Sequence, residues 1–207
     1  MTSESSEPHY FRTPARPSAR QDVEITLAGR EVTVTTAGGV FSGDRLDLGT
    51  RVLLREAPTP PPTGDLLDLG CGWGPIAMTQ ALLSPEAKVW AIDVNELALE
   101  LTGLNARRAG APVTAVLPDQ VPDDVRFAAI WSNPPIRVGK AELHAMLLRW
   151  LPRLLPEASA HLVVQRNLGA DSLHGWLQTA LPTGWTVVRA GSAKGFRVLR
   201  VTAPSSN

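Results

Sequence analysis

Residues 23–36, VEITLAGREVTVTT, alternate apolar and polar positions on both sides of Ala28-Gly29-Arg30, which predicts a β-hairpin. RLDLGTRVLLREA (45–57) has helical spacing with Asp47 as its N-cap. PTPPPTG (58–64) breaks the periodicity and reads as a stiff linker of polyproline character. Beyond it the pattern changes. Five short apolar runs without alternation, 65–70, 88–93, 112–117, 126–132 and 160–165, have the composition of strands buried on both faces. Helical stretches at 75–84, 95–109 and 140–155 lie between most of them, and 170–181 follows. Residues 185–190 and 196–202 predict two last strands joined by a short turn. The expected fold is α/β: a Rossmann-like, seven-stranded, mostly parallel sheet with helices on both faces and a small N-terminal hairpin and helix. The expected organisation is a flexible, Pro-rich arm at 1–20, an extension at 21–62 and a domain at 63–207.

The chain has 207 residues, 43% of them hydrophobic, enough for one domain with a sizeable core. No apolar run is long enough to span a membrane, and the N-terminus lacks the apolar segment of a secretory signal. One cysteine, Cys71, rules out an internal disulfide and fits a reducing, cytoplasmic setting. His9, His144, His161 and His174 are scattered without metal-ligand spacing, so no metal is expected. Net charge is zero but unevenly spread. Residues 1–124 hold 10 Lys+Arg against 17 Asp+Glu, or −7; residues 125–207 hold 10 against 3, or +7. That asymmetry points to a polyanionic partner on one side.

The first chemical motif is LLDLGCGWGP (66–75). Gly70, Gly72 and Gly74 follow a buried strand and precede a helix that Pro75 can open. Glycines there allow close backbone approach to a ligand at a helix N-terminus. The spacing is D-x-G-x-G-x-G, not the G-x-G-x-x-G of dinucleotide sites. Asp68 would repel a pyrophosphate and suits an ammonium or sulfonium group. Asp93 ends the next strand, where a carboxylate can accept from ribose hydroxyls. Cys71, Trp73 and Asn95 flank these positions as further candidate contacts, with Cys71 a packing residue and no nucleophile. Asp119 is the candidate for an adenine amine, with Asp123 and Asp124 as competitors.

The second motif is SNPPI (132–136). Pro134 and Pro135 must end the strand before them, leaving a stiff loop that begins with the Asn133 amide. The Asn133 side-chain oxygen and the Pro134 carbonyl can each accept one N–H of an amine. Two fixed acceptors out of the plane of a conjugated amine favour a tetrahedral nitrogen whose lone pair is free to meet an electrophile. Arg137 and Lys140 follow the loop directly and are candidate phosphate contacts.

Glycine loop, Asp68 and Asp93 together resemble the class I S-adenosylmethionine methyltransferases. SNPPI resembles the (D/N/S)-P-P-(aromatic) signature of enzymes that methylate adenine N6, guanine N2 or glutamine side-chain nitrogen, with Ile136 in the aromatic position. GVFSGDRLDLGTRVLL (39–54), LLDLGCGWGPIA (66–77), SNPPIRVGK (132–140) and LVVQRNLGA (162–170) come in the order and context of the "methyltransferase small" family, which includes the RsmC-type 16S ribosomal RNA guanine-N2 methyltransferases. The resemblance spans nearly the whole chain and looks like a single catalytic half. It implies S-adenosylmethionine as cofactor, catalytic Asn133, Pro134, Pro135 and Ile136, and cofactor contacts at Gly70, Gly72 and Asp93. It places Phe41 and Ser42 near the same pocket. It also implies ribosomal RNA or the 30S subunit as partner, gripped in part by the arm and hairpin. The rival readings are glutamine or adenine methylation and, from another class, a non-catalytic RNA- or ribosome-binding module.

Overall fold

The computed structural model describes residues 19–38, 40, 46–136 and 139–206. The arm expected at 1–20 lies almost wholly outside these residues, as do Phe41, Ser42 and Arg137. The hairpin forms as its alternation requires: β1 (Arg20–Leu27) pairs antiparallel with β2 (Arg30–Ala37). Ala28 and Gly29 both have positive φ, 48° and 75°, the two-residue turn whose twist suits paired strands. In α1 (Leu48–Glu56) the Asp47 carboxylate accepts from Thr50 N at 2.8 Å, as an N-cap should.

The elements then run β3 (Asp65–Leu69), α2 (Pro75–Leu83), β4 (Lys88–Ile92), α3 (Glu96–Ala109), β5 (Val113–Val116), β6 (Phe127–Ser132), α4 (Lys140–Trp150), β7 (Leu154–Gln165), α5 (Ala170–Ala180), β8 (Thr186–Ala193) and β9 (Phe196–Thr202). They make the expected seven-stranded sheet in the order β5-β4-β3-β6-β7-β9-β8, in which β9 runs against both its neighbours. Leu67, Leu69, Ile130 and Leu162 pack under α4 and α5 on one face. Leu66, Val89 and Ala91 pack under α2, α3 and the hairpin on the other, where α1 covers Trp131, Val163 and Val198. Strands covered on both sides have no polar face to show, which is why their sequences lack alternation.

Two elements differ from expectation. The helix expected over 140–155 stops at Trp150, passes through a 3-10 turn at Leu151–Arg153, and gives way to β7 at Leu154. Pro152 has no N–H to continue the ladder, although the leucines around it keep helical spacing. β7 therefore begins well before residue 160. Its polar stretch around Pro156 and Glu157, the latter at φ 63°, bulges and hides the strand in the sequence.

A buried side chain on α3 helps to tie the hairpin to the domain. Asn105 on α3 accepts from Thr35 N at 2.7 Å and donates to Thr35 O at 2.9 Å and to Trp73 O at 3.1 Å. Its amide thus completes the backbone pairing of β2 and holds the glycine loop with the same group.

Candidate active site

β3 connects to β4 on one side of the sheet and the chain returns to β6 on the other, so a crevice opens beyond their carboxyl ends. In open α/β sheets this is where ligands bind. Both motifs lie there. The crest of β3 is joined to that of β6 by Ser132, whose Oγ donates to Leu69 O at 2.6 Å. Gly70 N and Cys71 N both donate to Ile92 O, which anchors the glycine loop to the end of β4. Gly70, Gly72, Asp47, Thr50 and Asn133 line one narrow cleft of about 20 Å³, room for a group the size of a water, methyl or amine between the two loops.

Gly70, Gly72 and Gly74 all have positive φ. At Gly74, φ 93°, an added Cβ would lie 2.9 Å from the Thr102 side chain, whose Oγ1 donates to Gly72 O at 2.9 Å. Gly74→Ala is expected to cost about 2 kcal/mol, combining left-handed strain with displacement of Thr102. Denaturant unfolding checks this, and Thr102→Ala in the same chain should recover part of the loss. At Gly72 an added Cβ would meet nothing, so this part of the loop faces open space.

The acids are held differently. Asp68 has no exposed surface. Its Oδ2 accepts from Ala77 N at 2.9 Å, and its Oδ1 is buried with no hydrogen-bond partner. Burial raises its pKa to about 8, with nearby Asp93 pushing the same way and the Ala77 N–H opposing. An unsatisfied carboxyl oxygen behind a glycine loop is a place for a cationic group. Asp93 accepts from Gly72 N at 3.0 Å and Asn95 N at 2.9 Å, and burial raises its pKa too. Asn95 caps α3 by accepting from Leu97 N. Val94 lies between them, 48% exposed, an apolar surface for a flat ring that the sequence offered only as an aliphatic residue among polar strand-end neighbours. Asp68, the glycine loop and Asp93 fit a ligand carrying an ammonium, a ribose and an aromatic base.

Other candidate residues fall elsewhere. The Cys71 thiol is buried, and burial with the two acids raises its pKa, so it is no nucleophile. The Trp73 ring is buried in the core beneath the hairpin, although its backbone borders the cleft. Asp119 is exposed in a 3-10 turn after β5 and pairs with Arg149 at 2.7 Å. Lys140, exposed, opens α4.

The proline loop has the expected shape. Asn133 Nδ2 donates to Asp47 Oδ2 at 2.6 Å and to Thr50 Oγ1 at 3.1 Å, which leaves Oδ1 as its available acceptor. Pro134 O already accepts from Ile136 N at 2.9 Å and keeps one lone pair for a ligand. Pro134 is buried and Pro135 exposed. Ile136 packs against the core cluster under α4. A larger depression, about 430 Å³, lies between the hairpin and α3, but Asp22, Arg108 and Thr35 there satisfy one another.

A glycine loop and a strand-end acid beside an Asn-Pro-Pro loop, at the switch point of a sheet in this strand order, define a Rossmann-like methyltransferase fold. The sequence pattern of the methyltransferase small domain matches residues 31–200, and the chain belongs to that family. It is 34% identical over 171 residues to the uncharacterized protein YbxB of Bacillus subtilis, covering 81% of this chain and 85% of that one. It is 37% identical over 139 residues to ribosomal RNA small subunit methyltransferase C of Aeromonas hydrophila, covering 67% of this chain and 39% of that one. Among solved structures, the T. thermophilus 16S rRNA N2 G1207 methyltransferase RsmC, in complex with AdoMet and guanosine, superposes with a TM-score of 0.76 at 21% identity, over 92% of this chain and 52% of that one. The chain thus spans about two fifths to one half of the two RsmC proteins.

Proposed function

We propose that this protein is a cytosolic, S-adenosylmethionine-dependent methyltransferase acting on an exocyclic amino group, N2 of a guanine in small-subunit ribosomal RNA. The observation that carries the reaction is the shared cleft: the glycine loop and Asn133 line the same narrow space at the carboxyl edge of the sheet. S-adenosylmethionine, when bound, supplies an electrophilic methyl group. Asp68 would hold its ammonium, Asp93 its ribose hydroxyls and the Gly72 region its approach to the backbone. Asn133 Oδ1 and Pro134 O accept the two N–H groups of the incoming amine, orienting the nitrogen lone pair. No strong base is needed, because the nitrogen becomes acidic only once alkylated and then sheds its proton to solvent. In a duplex one N–H of the guanine amine is held by the paired base, so a site that takes both N–H groups requires the target base to be unpaired or flipped out.

The substrate class is supported by the RsmC relatives and by the excess of positive charge in residues 125–207. The test is methyl transfer from tritiated S-adenosylmethionine to undermethylated 30S subunits, with nucleoside analysis. The expected product is N2-methylguanosine. Unlabelled subunits alongside labelled transfer RNA or release factor would retire the ribosomal substrate and keep the chemistry.

A further inference from the structure

Asp47 belongs to the N-terminal extension, yet its carboxylate meets the proline loop across 86 residues of sequence. Its Oδ2 accepts two N–H groups, Thr50 N at 2.8 Å and Asn133 Nδ2 at 2.6 Å. Thr50 Oγ1 takes the same Nδ2 at 3.1 Å. An amide nitrogen has two hydrogens, and both are thereby committed. Rotating the amide by half a turn would set its carbonyl oxygen against a carboxylate, so one orientation alone is stable. Helix capping accounts for only the first of these bonds. Gly49 keeps the contact closed: an added Cβ would lie 3.1 Å from Asp47 Oδ2 and 3.3 Å from Asn133 Nδ2.

We propose that Asp47, assisted by Thr50, is a positioning residue for Asn133, locking the amide so that Oδ1 faces the transferring nitrogen. This rests on the reading of Asn133 as the amine acceptor. The negative charge also polarises the amide and makes Oδ1 a stronger acceptor. The substrate N–H grows more acidic as the methyl transfers, so the gain falls on the transition state and on kcat rather than on ground-state binding.

The test compares Asp47→Ser, Asp47→Asn and Asn133→Ala, with 30S subunits as substrate. Serine still caps Thr50 N but is too short to reach Asn133. Asp47→Ser should lose kcat on the order of 10- to 100-fold, the range for removing support behind a catalytic group, with cofactor Kd and Tm unchanged. Asp47→Asn offers an amide oxygen where Oδ2 sits and should recover kcat to within about fivefold, neutral hydrogen bonds being roughly half as strong as charge-assisted ones. Full kcat in Asp47→Ser with an inactive Asn133→Ala overturns the positioning role alone. An active Asn133→Ala overturns the proposed reaction instead. Equal losses in both Asp47 variants with a lowered Tm would trace the effect to disruption of the fold around α1 and also overturn the role. Nitrogen-edited NMR provides a readout that needs no RNA. The Asn133 side-chain protons should exchange slowly in the parent and in Asp47→Asn, and rapidly in Asp47→Ser; rapid exchange in the parent sinks the inference.

Discussion

Asn133→Ala is expected to lower methyl transfer by about 100- to 1,000-fold at saturating cofactor, the usual loss on deleting a preorganised polar group at a reacting centre. The substitution removes the acceptor that orients the amine and leaves Asp47 and Thr50 facing a small gap beside the cleft. The glycine loop, Asp68 and Asp93 keep their own bonds to Ile92, Ala77 and Asn95, so affinity for S-adenosylmethionine should stay nearly unchanged. Single-turnover rates combined with a direct cofactor titration separate the two effects. Asn133→Asp keeps the shape but brings two carboxylates to hydrogen-bond distance, and should be as poor a catalyst. An alanine variant retaining most of the parent rate would refute the assignment of the proline loop.

The second large effect is on stability and its dependence on pH. Asp68 titrates near its ordinary value in the unfolded chain and near 8 in the folded one. Between these values the folded state holds a proton that the unfolded state has released. The contribution is complete below about 4 and is lost as pH rises towards 8. His161, buried on β7 and pushed down to about 4 by burial and by Arg200, acts in the opposite sense between about 4 and 6.5. The parent should therefore lose stability mainly above pH 6.5. The comparison with Asp68→Asn cancels His161. Stability of the variant relative to the parent should rise by about 2.5 kcal/mol between pH 5 and 7, following about 1.4 kcal/mol per pH unit. Urea unfolding across that range checks it; parallel pH profiles would show that Asp68 is already ionised when folded. A cation placed beside Asp68 Oδ1 should expel the proton. Calorimetry of cofactor binding near pH 7 in two buffers should then register close to one proton released, and none in Asp68→Asn.

The fold was legible because its signals are local: apolar runs bounded by Gly, Pro and Asp, and a helix capped at Asp47. The end of α4 was not, since leucine spacing continues past the point where Pro152 stops the ladder. The glycine loop and the Asn-Pro-Pro turn could be read as motifs because each chemical role sits within a few consecutive residues. The groups that hold them in place could not. Ser132 reaches Leu69 across 63 residues, Asn105 reaches Thr35 across 70 and Asp47 reaches Asn133 across 86, and only the sheet's topology brings these pairs together. Even the cap at Asp47, correctly anticipated, concealed its second bond.

The placement of β9 has a consequence for synthesis. Among the strands of the main sheet it is made last, yet it lies inside the sheet, bonded to β7 through Ser159↔Thr202 to Gln165↔Phe196 and to β8 on its other edge. Until residues 196–202 leave the ribosome, Leu162, Val163 and Val164 form an open, apolar edge of the kind that recruits foreign strands. β8 meanwhile has no partner. Closure of the sheet must therefore wait for residues 196–202, and the strand that completes it is the one that removes an exposed apolar edge.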